Sequence, residues 1–401
     1  MDAFTDQGTL WVPASKVAIA SGGLPPSKSH LIRWLLLASQ GNCAVEIHGV
    51  EGAAIDACAM RDALIQLGVD INAKEDTWTV QGVGANGFRP PLNELNFLNS
   101  GTSLRLLSIA AASIGEWITI NGDSTLESRI NRGFWGSLGI DLAFDLDERN
   151  LPMKIKGPME LDSLALDCSK TSQYLSALLL SMPARENDLL LAIDSDIVSR
   201  RHAELSFSLA AECGSKNTIG NPRLSPWKCE PPASVKIPHD ASHIAFWKLY
   251  EMLHDTSITL PPVHPNDSIG AEVLDGLNLE LHQTIDLSKA NDLITPLAAT
   301  MAVGGGGVIV GASHARYKES NRIERTVELL EKFSIKAEST TDGLRIPGGQ
   351  QPMAPQQPVP TFGDHRVQMT AVVLATKVGA EIEGAELHEV SFPNFIKLIQ
   401  P

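Results

Sequence analysis

A small set of cationic and polar side chains stands where buried helices should begin. In chain order these openings hold Lys28, Ser29 and Arg33; Thr102 and Arg105; Thr171, Ser172 and Gln173; Asp240 and Ser242; Asp292; and His365 with Arg366. A helix N-terminus offers free backbone N–H groups and the positive end of the dipole, which suit phosphate or carboxylate. Capping alone accounts for the Ser, Thr and Asp residues. It does not account for Lys28, Arg129, Gln173, Arg322 and Arg366, which suit the ends of buried helices poorly unless anions sit there. Ser313–Arg322 adds His314, Arg316, Lys318, Glu319 and Arg322, with Lys318 and Arg322 four apart and so on one face of a helical turn. A solvated charged face would explain such a run by itself. Yet it follows the Gly-rich apolar stretch Val303–Gly311, which reads as a buried strand delivering a loop to a site. Several openings pointing into one cleft would bind more than one anionic group.

The elements that must position these residues repeat along the chain. Six segments share a polar first turn followed by small and aliphatic residues at helical length, starting near Ser29, Thr102, Ser172, Ala241, Asp292 and His365. They are apolar nearly all round, which predicts buried helices, and four should stop at Gly41, Gly115, Gly304 and Gly379. Between them recur amphipathic helices that run through a turn into a strand: Ala63–Ile71, Gly133–Leu142, Glu272–Leu281 and Arg322–Phe333. Each repeat reads as buried helix, strand, outer helix and strand hairpin, about 67 residues long, so six fill the chain. The last repeat lacks closing strands, which residues 9–20 could supply. The expectation is therefore α/β: two pseudo-threefold domains of three βαβαββ units each. One spans 26–237; the other combines 1–25 with 238–401. Residues 347–360 and 214–235 read as irregular loops.

Composition excludes several classes. With 32 basic and 47 acidic residues among 401, the net charge is −15, which argues against a nucleic-acid partner. Apolar runs stop well short of the roughly 18 residues a membrane span needs. Residues 1–10 carry two acids and no base, unlike a signal or transit peptide, so a cytoplasmic protein is expected. The five cysteines are widely spaced with no C-x-x-C pair, which supports neither a disulfide framework nor a zinc site. No nucleophile elbow, Walker loop or dinucleotide fingerprint occurs. No metal and no cofactor is expected.

Nine motifs in order resemble the 5-enolpyruvylshikimate-3-phosphate synthase family. They are Pro26-Ser27-Lys28-Ser29 with Arg33; Asn99-Ser100-Gly101-Thr102 with Arg105; Thr171-Ser172-Gln173; Val198-Ser199-Arg200; Asp240-Ala241-Ser242; Asp292; Arg316 to Arg322; Asp364-His365-Arg366; and Ser391-Phe392-Pro393. The resemblance runs from about residue 9 to the C-terminus. It implies two domains whose helix N-termini face an interdomain cleft, and transfer of the enolpyruvyl group of phosphoenolpyruvate to the 5-hydroxyl of shikimate 3-phosphate. It also implies a monomer with small-molecule substrates only.

By position, the resemblance assigns Lys28, Gly101, Arg129, Gln173, Arg322 and Arg366 to phosphoenolpyruvate, with the inhibitor glyphosate in the same pocket beside Gly101. Ser29 and Arg33 fall to the shikimate carboxylate; Thr171, Ser172, Ser199 and Lys318 to its 3-phosphate; and Lys28 and Gln173 meet both substrates. Asp292 lies at the attacking hydroxyl and Glu319 at a proton-transfer position, with Lys28 the third catalytic group. His365 belongs to a matching motif. Other positions depart from the family: His202 replaces a Tyr, His314 an Asn, Thr125 an Arg, Val390 a Lys, Asn291 a Pro and Asn321 an Asp. UDP-N-acetylglucosamine 1-carboxyvinyltransferase is the nearest rival, but it carries a reactive Cys between the positions of Thr102 and Arg129, where this chain has none. A non-catalytic anion-binding paralogue would have no need of Asp292 and Glu319.

Overall fold

Six helices are buried on nearly every side, and their sequences explain why. Lys28–Gln40, Gly101–Ala111, Gln173–Ser181, Ile244–His254, Ile294–Val303 and His365–Val378 are Leu-, Ala- and Val-rich behind a polar first turn. Side chains such as Leu35, Leu107, Leu179, Leu249, Leu297 and Val373 are wholly enclosed; truncating one to Ala would cost about 3 kcal/mol in transfer and cavity terms. The fourth and fifth helices are entered through 3-10 turns, Ala241–His243 and Asn291–Leu293. Pro296 is accommodated in the first turn of its helix, where an N–H would lack an intrahelical partner anyway. The computed structural model describes residues 8–15, 19–145, 149–263 and 269–400.

The expected glycine stops divide by cause. Gly379 ends the last helix at φ +79°, a positive backbone angle that favours glycine. Gly304 also follows its helix directly but is needed for close approach, since a Cβ there would lie 2.1 Å from the Leu279 carbonyl oxygen. Gly115 ends nothing: its helix stops at Ala111 with Ala112 as the cap.

Four sheets follow one recurring design, a parallel pair followed by antiparallel neighbours, and in three of them an inner helix crosses between the parallel strands. The order is Ser234–Lys236, Ala44–His48, Thr77–Gln81, Asp70–Lys74 in one sheet; Leu95–Asn96, Ile118–Asn121, Met153–Lys156, Asp141–Phe144 in the next. Gln283–Asp286, Gly306–Val310, Leu344–Pro347 and Glu338–Ser339 repeat it. Ser163–Leu166, Leu189–Ile193 and Arg223–Leu224 form a three-stranded version. The repeat that starts with the helix Ile244–His254 is the most reduced, with a parallel bridge between Ser21 and Thr259 and the short outer helix Ala271–Leu274. In the last repeat, Thr9–Val12 pairs antiparallel with Ala380–Glu383, while residues 13–15, 19 and 20 of the region expected as strands form none. Of the remaining residues of that expected strand region, 16–18 lie outside the described residues, as do residues 1–7 of the segment read for targeting. The 214–235 region, expected to be loop, ends in the strand Ser234–Lys236. The segment Gly133–Leu142, read as a helix running through a turn into a strand, holds the helix Arg132–Gly136 and enters the strand Asp141–Phe144; Glu272–Leu281 holds the short helix Ala271–Leu274, and its strand starts only at Gln283.

The chain divides into two compact units, a central one, Lys28–Ile237, and one flanking it in sequence, Met1–Ser27 with Pro238–Pro401. Each has its own hydrophobic core. Within the flanking unit the two connecting segments pair: Ser27 N–H donates to Pro238 O at 2.8 Å and Asp240 N–H to Pro25 O at 2.9 Å.

Candidate active site

In the central unit, three helix openings are tied together by the residues the sequence singled out. Lys28, the first residue of its helix, pairs with Asp56 at 2.9 Å. Asp56 sits in the first turn of the helix Ile55–Gln66, and its backbone carbonyl accepts from Ser103 Oγ at 2.9 Å. Ser100 caps the helix Gly101–Ala111 by accepting from Ser103 N–H. Arg105 reaches out from that helix: Nη1 donates to Gln173 Oε1 and to Gly101 O, and Nη2 to Arg129 O at 2.8 Å. Gln173 closes the link by donating from Nε2 to Thr102 Oγ1 at 2.9 Å. Arg129 is half-buried and anchored through Nη2 on Asn99 O at 2.7 Å and through Nε on Thr125 O at 3.1 Å. Gly101 lies against both arginines, for a Cβ added there would meet Arg105 Nη1 at 2.7 Å and Arg129 Nη1 at 3.3 Å.

Around the third opening, Ser172 Oγ donates to Ser199 O at 3.2 Å, and Thr171 Oγ1 accepts from Gln173 N–H at 3.2 Å. Ser199 holds φ +49°, a left-handed conformation that costs a non-glycine residue on the order of 1 kcal/mol or more. Arg33 is placed unexpectedly deep. It is 1% exposed; Nε donates to Ser206 Oγ at 2.7 Å, Nη1 to Ser29 O at 2.8 Å and Nη2 to His202 O at 3.0 Å. Burial pushes its pKa down to about 10. In this arrangement Arg33 shapes the backbone of Ser29 and His202, and binding a carboxylate directly would require its side chain to turn.

The flanking unit holds a second cluster, centred on Arg322. Arg322 is 1% exposed and is bound by three carboxylates: Nη1 donates to Asp292 at 2.5 Å, Nη2 to Glu319 at 2.5 Å, and Nε to Asp364 at 2.8 Å. Burial alone would lower its pKa; Asp364, Glu319 and Asp292 more than reverse that and raise it. Lys318 Nζ stands 3.4 Å from the same Asp292 oxygen. Asp364 is wholly buried, caps the helix His365–Val378 through Arg366 N–H at 2.9 Å, and accepts from Ser320 Oγ at 2.9 Å. Arg366 Nη2 donates to Ser242 Oγ at 2.8 Å. His365 is buried in the first turn of that helix. His314 is buried and its pKa falls to about 4, first through burial and then through Lys318, so the imidazole is neutral at pH 7.

Sequence reasoning missed Asp56 as the partner of Lys28 and Asp364 as the shared partner of Arg322 and Arg366. An acid in a first helical turn and an Asp at an N-cap were the visible signals, and both are also what any helix favours. Within each unit the site residues gather as described. Among the described residues no group of three His, Cys, Asp or Glu side chains could hold a metal ion.

These two clusters are built from the motifs by which the sequence resembles a family, and the family model for EPSP synthase (3-phosphoshikimate 1-carboxyvinyltransferase) matches residues 21–399. The chain belongs to the EPSP synthase family. Among curated EPSP synthase relatives, the 3-phosphoshikimate 1-carboxyvinyltransferase of Methanothrix thermoacetophila is 28% identical, over 93% of this chain and 93% of its own. The enzyme of the same name from Methanocorpusculum labreanum is 29% identical over 94% of each chain. The fold is shared with the EPSP synthase of Acinetobacter baumannii, at a TM-score of 0.73 and 23% identity, covering 98% of this chain and 97% of that one. It is shared also with the enolpyruvyl transferase NikO of Streptomyces tendae, at a TM-score of 0.70 and 14% identity, covering 98% and 96%. No helix among the described residues is long and apolar enough to cross a membrane.

Proposed function

We propose that this EPSP synthase family member transfers the enolpyruvyl group of phosphoenolpyruvate to the 5-hydroxyl of shikimate 3-phosphate and releases phosphate. The observation that carries the reading is the Arg322 cluster, which holds two carboxylates, Asp292 and Glu319, beside Lys318. A site that only bound anions would be weakened by carboxylates at its centre; a site that moves protons needs them. In this reading the hydroxyl oxygen adds to the enol carbon while the methylene carbon takes a proton. The tetrahedral adduct then loses phosphate and returns that proton.

Asp292 accepts the proton of the attacking hydroxyl, and Lys28 and Glu319 serve the methylene. Thr171, Ser172, Ser199 and Lys318 hold the 3-phosphate, with His202 beside them. Ser29 and Arg33 serve the shikimate carboxylate, and His314 lies beside the attacking hydroxyl's partner Asp292. Gly101, Arg129, Gln173, Arg322 and Arg366, with Lys28, hold phosphoenolpyruvate, and His365 supports Arg366 from the same helical turn. Orientation of two bound substrates and preorganised cations supply most of the rate.

The test is phosphate release from chelator-treated protein given shikimate 3-phosphate and phosphoenolpyruvate together. Release with this acceptor and not with UDP-N-acetylglucosamine is the expected result. Binding of both substrates with no release would assign the chain to non-catalytic anion binding; release only with the sugar nucleotide would make it the rival transferase.

A further inference from the structure

Arg366 is held at one end only. It is 2% exposed; Nη2 donates to Ser242 Oγ at 2.8 Å, while the buried Nη1 has no hydrogen-bond partner among the described residues. Ser242 can accept from the arginine because its own proton goes to Asp240 Oδ1, 2.6 Å away. The same carboxylate oxygen also takes the Ser242 N–H at 3.0 Å. A buried carboxylate therefore stands one hydroxyl away from the guanidinium that is left open to a ligand. Unopposed, it would cancel most of the arginine's attraction for an anion.

A second group faces that carboxylate. His243 is wholly buried, with Nδ1 3.7 Å from Asp240 Oδ1 and Nε2 3.3 Å from Ser391 Oγ. Burial would raise the Asp240 pKa, but His243 first, and then Arg366 and Ser242, outweigh it and hold the carboxyl ionised. Phe246 and Phe392 lie against the imidazole, with ring centroids 5.8 Å and 5.2 Å away. Charged and titratable groups on the surrounding elements are Asp240 on its own turn, Arg366 with its sequence neighbour His365 on the helix whose arginine reaches Ser242, and His388 three positions before Ser391. His388 is pushed down to about 4 by burial and is neutral at pH 7.

We propose that His243, as an imidazolium held between Asp240 and Ser391, is a positioning residue of the anion site. It neutralises Asp240, so that the attraction of Arg366, fixed by Ser242, is left for a carboxylate or phosphate of the substrate. The proposal rests on the reading of Arg366 as a phosphoenolpyruvate ligand.

Two variants test it, His243→Gln and the double variant His243→Gln/Asp240→Asn. Asn still caps the turn, so the second change removes the charge while keeping the shape. His243→Gln should raise the KM for phosphoenolpyruvate about tenfold with the KM for shikimate 3-phosphate unchanged. The double variant should recover most of that loss, because no carboxylate is left to neutralise. A merely structural His243 would give a double variant as poor as the single one or worse, and that result overturns the proposal. So does a single variant with an unchanged KM. Should His243→Gln fail to fold, the parent and Asp240→Asn decide: the parent's KM for phosphoenolpyruvate should rise with pH as His243 loses its proton, and Asp240→Asn should flatten that rise. An equal rise in both, or none in the parent, refutes the role. Calorimetry of phosphoenolpyruvate with saturating shikimate 3-phosphate reads the same ratios without turnover. A parent that binds but releases no phosphate thus overturns the enzymatic reading alone, and a parent that binds nothing overturns both.

Discussion

Replacing Gly101 by Ala separates the local stability of this fold from its binding chemistry. Gly101 opens its helix without a positive φ, so an Ala backbone fits there, and helix propensity favours Ala by up to about 1 kcal/mol. The added methyl would stand 2.7 Å from Arg105 Nη1, too close to be tolerated, and 3.3 Å from Arg129 Nη1. Both are ends of flexible side chains, so they move and the backbone stays. The movement strains the Arg105 link to Gln173, a charged hydrogen bond worth about 1.5–3 kcal/mol. Against the propensity gain, the net stability change is about 1–2 kcal/mol, a melting shift of a few degrees. Binding suffers more. Two guanidinium groups shift and a methyl occupies space where phosphoenolpyruvate should pack, and displacements of this order cost about 10- to 100-fold. Steady-state kinetics should therefore show a KM for phosphoenolpyruvate raised by about 10-fold or more, the KM for shikimate 3-phosphate unchanged, and glyphosate inhibition weakened further still. A large drop in melting temperature with both phosphoenolpyruvate and glyphosate constants untouched would show that Gly101 serves only the turn.

Glu319→Gln and Asp292→Asn should each lower turnover by about 100-fold or more while calorimetry still detects both substrates, since the amides keep the shape around Arg322 and lose the proton-transfer group. Arg33→Ala should weaken shikimate 3-phosphate binding and also cost about 3 kcal/mol of stability, because three hydrogen bonds from one buried charged donor are lost, to Ser206 Oγ, Ser29 O and His202 O; a normal melting temperature would contradict the buried placement. His388 gives a pH signature. Its folded pKa is lowered from 6.5 to about 4 by burial, so the unfolded chain takes up the proton first. Its contribution to stability is complete above pH 6.5 and is lost as pH falls toward 4, at up to about 1.4 kcal/mol per pH unit. Urea unfolding of His388→Gln between pH 7.5 and 4.5 should show a shallower loss than the parent, and equal slopes would refute this.

The inner helices were legible because a buried helix writes its burial into every turn and keeps its polar residues for the opening. The sheets were less so. Ser234–Lys236 is three residues long and its partner Ala44–His48 lies almost 190 positions earlier, so no local pattern announces the pairing. The outer helices Arg132–Gly136 and Ala271–Leu274 are only about a turn long, too short for an apolar stripe of their own to mark where each ends. At the site, the residue types were visible and their partners were not. Nothing in the spacing of Asp292, Glu319 and Asp364 says that all three meet one guanidinium, because each arrives from a different loop. The depth of Arg33 was hidden for the same reason: two of its acceptors, Ser206 Oγ and His202 O, come from the helix Arg200–Glu212.

The pairing of Thr9–Val12 with Ala380–Glu383 has a consequence for how the protein is made. A ribosome delivers Thr9–Val12 well ahead of its partner, which follows roughly 20 to 70 s later at ordinary elongation rates of about 5–20 residues per second. The strand Ser234–Lys236, by contrast, finds Ala44–His48 already synthesised, so the central unit can close while the rest of the chain is still being translated. Until then the nascent strand Thr9–Val12, with Trp11 on its exposed face, is an unpaired edge open to any other chain nearby. Among the described strands, the earliest in the sequence is one of the last to be paired.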